Sequence, residues 1–277
     1  MTVALDLVEL DGKATPDAIV DEIFHQNANI PIPVPLEELA RLAGVEQIRA
    51  LESSGFEGML VANVEKTRAE IFYNPNSNPQ RKRFTVGHEL GHLLLPHHQQ
   101  STYECSKEDM TRFERSPNPR SVQEAEANRF SSELLMPRWY FKKRMKEFGE
   151  LGLEHIDTLH TECCTSTEAT ARRYVSLSEY PCAVVFAKDK LVRYFVKNEE
   201  LSFYLDIKHD LPLPKDSPSC QPGAGVGDWQ EVDSWLWLRE EEGRTLPSKI
   251  LEQTLWQDQG YKVILLFLED VPDGDDN

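Results

Sequence analysis

The pentapeptide His88-Glu89-Leu90-Gly91-His92 constrains the fold more than any other feature of the chain. Side chains spaced i, i+4 meet on one face of a helix, so both imidazoles reach a common point only if this stretch is helical. The flanks agree, because Leu90, Leu93, Leu94 and Leu95 supply an apolar stripe and Pro96 ends it. Gly91 is a poor helix former whose missing side chain admits a second backbone at close range. Two imidazoles so placed are the start of a site for a divalent metal. Glu89, between them, is placed to accept a proton from water that such a metal polarises.

A tetrahedral catalytic zinc takes three protein donors and one water, so a third donor must come from outside that helix. His98 falls where an HExxHxxGxxH pattern puts its third histidine, but Leu95 replaces the turn glycine and Pro96 follows, which favours a solvent-facing loop histidine. The better candidate lies in the segment from Gln123 to Pro137, rich in strong helix formers. There Glu124 shares a face with Ala127, Asn128 and Ser131, small residues that allow tight packing against the first helix. Glu126 points elsewhere and reads as a solvated charge near Arg129 and Glu133, while Asn128 is placed to hydrogen-bond a ligand from behind.

HELGH followed by EAEANRFSSELLMP resembles the ImmA/IrrE metallopeptidases, gluzincin-like enzymes with two histidine ligands and a glutamate. The resemblance covers about Pro16 to Pro137 and, more loosely, the remainder. It implies that His88 and His92 bind metal, that Glu89 is the catalytic base and that Glu124 completes the site. The implied metal is Zn2+, with Mn2+ the alternative, since identity at such a site depends on supply as well as ligands. It also implies limited proteolysis of a protein substrate, a DNA-binding transcriptional repressor, which would derepress stress-response or mobile-element genes. Two other classes compete: a noncatalytic DNA-binding regulator with a structural metal, and a protease-fold toxin paired with an antitoxin.

The expected architecture is α+β in three parts: a zincin-like metallopeptidase domain over 1–137, a helix-turn-helix-like segment over 138–180 and an α+β domain over 181–277. The first opens with a helix from Thr15 to Gln26, a proline-rich turn and a short helix from Leu36 to Ala43 that Gly44 ends. Strand-like runs at Glu46–Leu51, Gly58–Val64 and Ala69–Tyr73 predict a small antiparallel sheet before the HExxH helix. Its Gly58–Val61 edge is a candidate for holding a substrate peptide by strand addition, with an ordinary core strand the equal alternative. The polar stretch from His97 to Val122 reads as an exposed loop, in which Tyr103, His97 and His98 are oxyanion donors by type but surface residues by pattern.

In the middle segment, helices at Trp139–Phe148 and Ile156–Cys163 and a third, capped by Ser166-Thr167-Glu168 and ending near Leu177, resemble a helix-turn-helix that would offer Thr170, Arg172 and Arg173 to DNA. Its charges nearly cancel and the whole chain carries a formal net charge of -17, which disfavours attraction to phosphate. In the last part, Ala183–Ala187 and Leu191–Val196 predict a hairpin, Lys262–Phe267 a closing strand and Leu211–Asp228 a long loop. Trp229, Trp235 and Trp237 recur at strand spacing, and the family resemblance suggests a GAF-type sensory module, although such aromatics more often fill a core. Asp270–Asn277 reads as a frayed acidic tail. The N-terminus lacks a signal peptide's basic and apolar regions, no apolar run is long enough to span a bilayer, and the five cysteines form no CxxC pattern. A cytoplasmic protein with free thiols and no membrane association is therefore expected.

Overall fold

The computed structural model describes residues 3–52, 55–111, 118–243 and 245–269, so the expected acidic tail lies outside the described residues. The chain divides into two compact units, one formed by residues up to Arg138 with Thr161–Ser166, the other by Trp139–His160 with everything from Thr167 onward. Among the described residues no helix is long and apolar enough to cross a membrane.

The first unit begins with α1 (Pro16–Gln26), whose start is fixed by Thr15, its side-chain oxygen accepting from the Ala18 N–H, and by Pro16 at the first helical position. Helix α2 (Leu36–Leu42) follows. Strands β1 (Val45–Ala50), β2 (Gly58–Ala62) and β3 (Ala69–Tyr73), helix α3 (Pro79–Leu94), strand β4 (Thr102–Cys105) and helix α4 (Pro119–Leu135) complete it. The sheet order is β1-β3-β2-β4. It is mixed rather than antiparallel, because β1 runs parallel to β3.

Gly44 explains the departure. Its φ of +94° turns the chain out of α2, and a Cβ there would lie 2.5 Å from the Thr67 carbonyl oxygen. Its own carbonyl accepts from the Ala69 N–H at 2.9 Å. Docked at the entrance to β3, β1 starts beside its neighbour's first residue and must run the same way.

The stretch after the HExxH helix is not simply an exposed loop. Thr102-Tyr103-Glu104-Cys105 alternates exposed and buried side chains, and it pairs antiparallel with β2, Gly58 opposite Cys105 and Val61 opposite Thr102. The edge expected to accept a substrate strand is thus taken by the chain itself.

The second unit carries α5 (Arg138–Phe148) and α6 (Leu153–Cys163) over all but their ends, then α7 (Thr167–Leu177) and a sheet of β5 (Cys182–Lys188), β6 (Leu191–Lys197), β7 (Gly225–Val226), β8 (Gln230–Asp233), β9 (Lys249–Trp256) and β10 (Tyr261–Phe267). The order β6-β5-β10-β9-β7, with β8 also on β9, puts β10 at the centre rather than at a closing edge. Strand β9 has no counterpart in the sequence expectations. Trp235 and Trp237 do not lie on a strand: Ser234–Leu236 is a 3-10 turn, which leaves Trp235 62% exposed and Trp237 fully buried. Trp237 Nε1 donates to Glu252 Oε2 at 2.7 Å, and Glu252 Oε1 accepts from the Ser217 hydroxyl and the Ser219 N–H. Of the three side chains a recognition helix would offer, Thr170 and Arg173 are buried.

Candidate metal centre

Helices α3 and α4 form the site. Each begins with an asparagine cap followed by proline: Asn78 accepts from the Arg81 N–H, Asn118 from the Arg120 N–H. Small residues then bring the two backbones together. A Cβ on Gly87 would stand 2.5 Å from Ser131 Oγ, and one on Gly91 would stand 3.2 Å from the Ala127 Cα and 3.1 Å from the Phe130 ring. Ser131 Oγ also donates to the Phe84 carbonyl at 2.9 Å, bonding one helix to the other.

That close approach carries Glu124 to the histidines. His88 Nε2 and His92 Nε2 are 3.0 Å apart, and Glu124 Oε2 lies 3.2 Å from the first and 3.5 Å from the second. A fourth donor type joins them: Cys105 Sγ, delivered by β4, is 3.3 Å from His88 Nε2 and 3.8 Å from His92 Nε2. Zinc bond lengths of about 2.0–2.1 Å to nitrogen or oxygen and about 2.3 Å to sulfur imply tetrahedral edges of about 3.3 Å and about 3.6 Å. The observed separations bracket those values. His88, Glu89, His92 and Cys105 have no exposed surface, and Glu124 has 1%.

The rings are held from behind. His88 Nδ1 is 2.8 Å from Asn128 Oδ1, and the Asn128 amide nitrogen donates to the Asp109 carbonyl, so the amide presents its oxygen to the ring. Nδ1 therefore carries the proton and Nε2 turns its lone pair into the cluster. His92 Nδ1 is 2.9 Å from His98 Nδ1, whose Nε2 in turn lies 3.3 Å from Glu126 Oε2. Tyr103 stacks on His92 at 4.0 Å, and the Lys66 ammonium donates to the carbonyls of His92 and His98 at the carboxyl end of α3, where a cation suits the helix dipole. Burial keeps His92 neutral, pushing its pKa down to about 4, and His98 lower still, to about 3. Burial acts to raise Glu124, but hydrogen bonds and charge from His88 and His92 outweigh it and hold the carboxyl well below the usual range. Arg120 supports that ionised form from 3.7 Å, on the other oxygen.

Glu89 differs from every other acid in the cluster. Both carboxylate oxygens are buried with no hydrogen-bond partner among the described residues. Burial first, and the Glu124 charge second, push its pKa well above the ordinary value. The floor beneath it is Gly58 of β2, where a Cβ would meet Glu89 Oε1 at 2.4 Å. A buried carboxylate left unpaired beside ionisable donors is an incomplete arrangement. A divalent cation with its solvent completes it, and donors of nitrogen, oxygen and sulfur type suit such an ion.

Comparison with known families matches residues 48–174 to Peptidase_M78, described as the IrrE N-terminal-like domain. Over that stretch the chain is similar to an IrrE N-terminal-like domain. The match spans β1 through most of α7 and so contains every residue of the cluster. No curated protein matches the chain. Among solved structures, a Mycobacterium tuberculosis transcriptional regulator superposes with a TM-score of 0.55 at 14% identity, covering 91% of this chain and 75% of that one, a likeness of fold.

Within the stretch similar to the IrrE domain, α3 and α4 bring His88, His92 and Glu124 into one cluster, Glu89 is buried on α3 between the two histidines, and Asn128 stands behind His88 as its position on the helix predicts. Three expectations fail for one reason, the presence of β4 and the loop before it. His98 is fully buried against His92 instead of facing solvent. Glu126 is not a free surface charge, since it lies 2.6 Å from His97 Nε2 as well as within reach of His98. Tyr103 is a buried stacking partner rather than a surface residue. Cys105, expected only as a free thiol, is a buried member of the cluster. The one signal for it was the alternation in Thr102–Cys105, too short to stand out in a polar stretch.

Proposed function

We propose that this chain is a zinc-dependent endopeptidase that performs limited proteolysis. The observation that carries this reading is the orphaned carboxylate of Glu89 beside His88, His92 and Glu124. When bound, the ion supplies Lewis-acid polarisation of a peptide carbonyl and acidifies water for attack. His88, His92 and Glu124 would hold it, with Asn128 fixing the tautomer of His88 and the His98–Glu126 pair backing His92. Glu89 takes the proton from the attacking water and returns it to the departing amine nitrogen. Burial, which raises its affinity for protons, suits a group that must take a proton from water.

The substrate class we infer is a DNA-binding transcriptional repressor, in line with the resemblance carried by HELGH and EAEANRFSSELLMP and with a fold shared with a protein named as a transcriptional regulator. The test is incubation of the purified, metal-loaded chain with repressors encoded beside its gene. Wild type is expected to cut one of them at a defined bond, while Glu89→Gln binds the same metal and leaves the repressor intact. Equal cleavage by the variant would refute the assignment of Glu89. A second reading, a noncatalytic regulator with a structural metal, draws support from the complete burial of the cluster and the closeness of Cys105. It predicts that Glu89→Gln leaves biological activity intact.

A further inference from the structure

The peptidase reading needs a coordination place for solvent and access for a polypeptide, and the cluster as it stands offers neither. Cys105 Sγ sits 3.3 Å and 3.8 Å from the two Nε2 atoms, either side of the edge of about 3.6 Å expected between nitrogen and sulfur donors on one zinc ion. Catalytic zinc sites keep one position open, whereas sites with four protein donors are closed. Cys105 comes from the edge strand β4, which pairs over four residues with β2, Gly58 opposite Cys105 and Leu60 opposite Tyr103. The same strand puts Tyr103 over His92. Thr102, Tyr103 and Glu104 of β4 line a cleft of about 460 Å³ together with Arg120, while Cys105 and the other donors are buried.

We propose that Cys105 is a fourth protein donor to the ion held by His88, His92 and Glu124, and that β4 thereby keeps the resting site closed until the strand withdraws. This rests on the metallopeptidase reading above. On metal binding the thiol loses its proton to solvent and the sulfur binds as thiolate. Were β4 to peel from β2, the thiolate would leave and regain a proton from solvent, a place for water would open beside Glu89, and the Gly58–Val61 edge would be freed for a strand of substrate. The closure is local, since one short edge strand holds it.

The experiment loads the full chain with cobalt(II) in place of zinc and records its absorption, for wild type and for Cys105→Ser. Wild type should bind one cobalt per chain and show an intense near-ultraviolet thiolate-to-cobalt band; the variant should keep the cobalt, lose the band and cleave a susceptible repressor at least tenfold faster. Bound cobalt without the band in wild type would overturn this inference and leave the metal reading standing. No bound cobalt at all would overturn both. A band that Cys105→Ser removes with no gain in cleavage would overturn the closed-site half and favour a structural metal. Should the variant not fold, the wild-type spectrum decides the donor, and mass-spectrometric mapping of maleimide labelling decides its position: Cys105 must be protected when metal is bound and labelled when the metal is removed and the fold relaxed by mild denaturant. Cys105 labelling unchanged by metal under those conditions would overturn it.

Discussion

Gly91→Ala sets two well-calibrated effects against each other on the helix that carries the two cluster histidines. In an isolated helix, replacing glycine by alanine is worth about 1 kcal/mol in favour of the variant. Here the new Cβ would sit 3.1 Å from the Phe130 ring and 3.2 Å from both the Ala127 Cα and the Phe130 Cβ. Carbon atoms rest at about 3.5–4.0 Å, so relief requires α3 and α4 to part by about 0.3–0.9 Å at this point. Phe130 is fully buried and the Ala127 contact is backbone, so neither can swing aside. Overpacking of that kind costs about 1–3 kcal/mol, leaving a net loss of up to about 2 kcal/mol and a fall in Tm of up to several degrees.

The larger consequence is at the metal. Glu124 is one turn from Ala127 on α4 and moves with it, while donor distances tolerate only about 0.2 Å. Metal affinity, measured by competition with a chromogenic chelator, is expected to fall about 10–100-fold, the range seen when the surroundings of a ligand are disturbed. A variant with raised Tm and wild-type affinity would refute the claim that helix contact at Gly91 positions Glu124.

Asn128→Ala should weaken metal binding by about 10–100-fold with the helical circular dichroism unchanged, because His88 loses the acceptor that fixes its tautomer; unchanged affinity would remove that role. The metal-free protein should lose stability on mild acidification. His92 and His98 have folded pKa values near 4 and 3, below the ordinary 6.5, so the unfolded chain binds more protons, and their contribution is complete above about pH 6.5 and declines as pH falls toward 4 and below. Each histidine adds up to about 1.4 kcal/mol per pH unit within its window, the coupled pair less than twice that, while Glu89, whose folded pKa is raised, opposes them by up to about the same amount per unit between its folded and unfolded values. Glu89→Gln removes the opposing group, and denaturant midpoints of that metal-free variant that stay flat from pH 7 to 4 would contradict the burial argument. Trp237→Phe removes the donor to Glu252 Oε2 and should cost the second unit about 1–3 kcal/mol in thermal or denaturant unfolding, a loss below about 0.5 kcal/mol being incompatible with a buried carboxylate that depends on it.

The parts of the site visible in the sequence are those written in helical periodicity. The i, i+4 histidines, Glu124 with its companions Ala127, Asn128 and Ser131, and the closeness allowed by Gly91 all follow from residues within single helices, and the helix limits agree to within a few residues. What pattern could not reveal is what tertiary pairing creates. Thr102–Cys105 is four residues in a polar stretch and becomes a strand only because β2 offers an edge. Once β4 is in place, His98, Tyr103 and Glu126 are buried or paired, and Cys105 changes from an isolated thiol to a neighbour of two imidazoles. The parallel pairing of β1 likewise depends on a contact between Gly44 and the chain just before β3, invisible to alternation. The tryptophan spacing misled because residues two apart share a face on a strand, whereas at the 3-10 turn Ser234–Leu236 they do not, so Trp235 is exposed and Trp237 buried.

The seam between α3 and α4 ties together two stretches that lie forty residues apart in the chain. Because Ser131 fills the space a side chain at 87 would need, and Ala127 and Phe130 the space one at 91 would need, these positions cannot drift independently. In related sequences, enlargement at 87 should be tolerated only where 131 has shrunk to glycine, and a residue larger than alanine at 127 only where 91 remains glycine. Pairs that break this rule would mark lineages whose two helices have separated and whose counterparts of His88, His92 and Glu124 no longer meet.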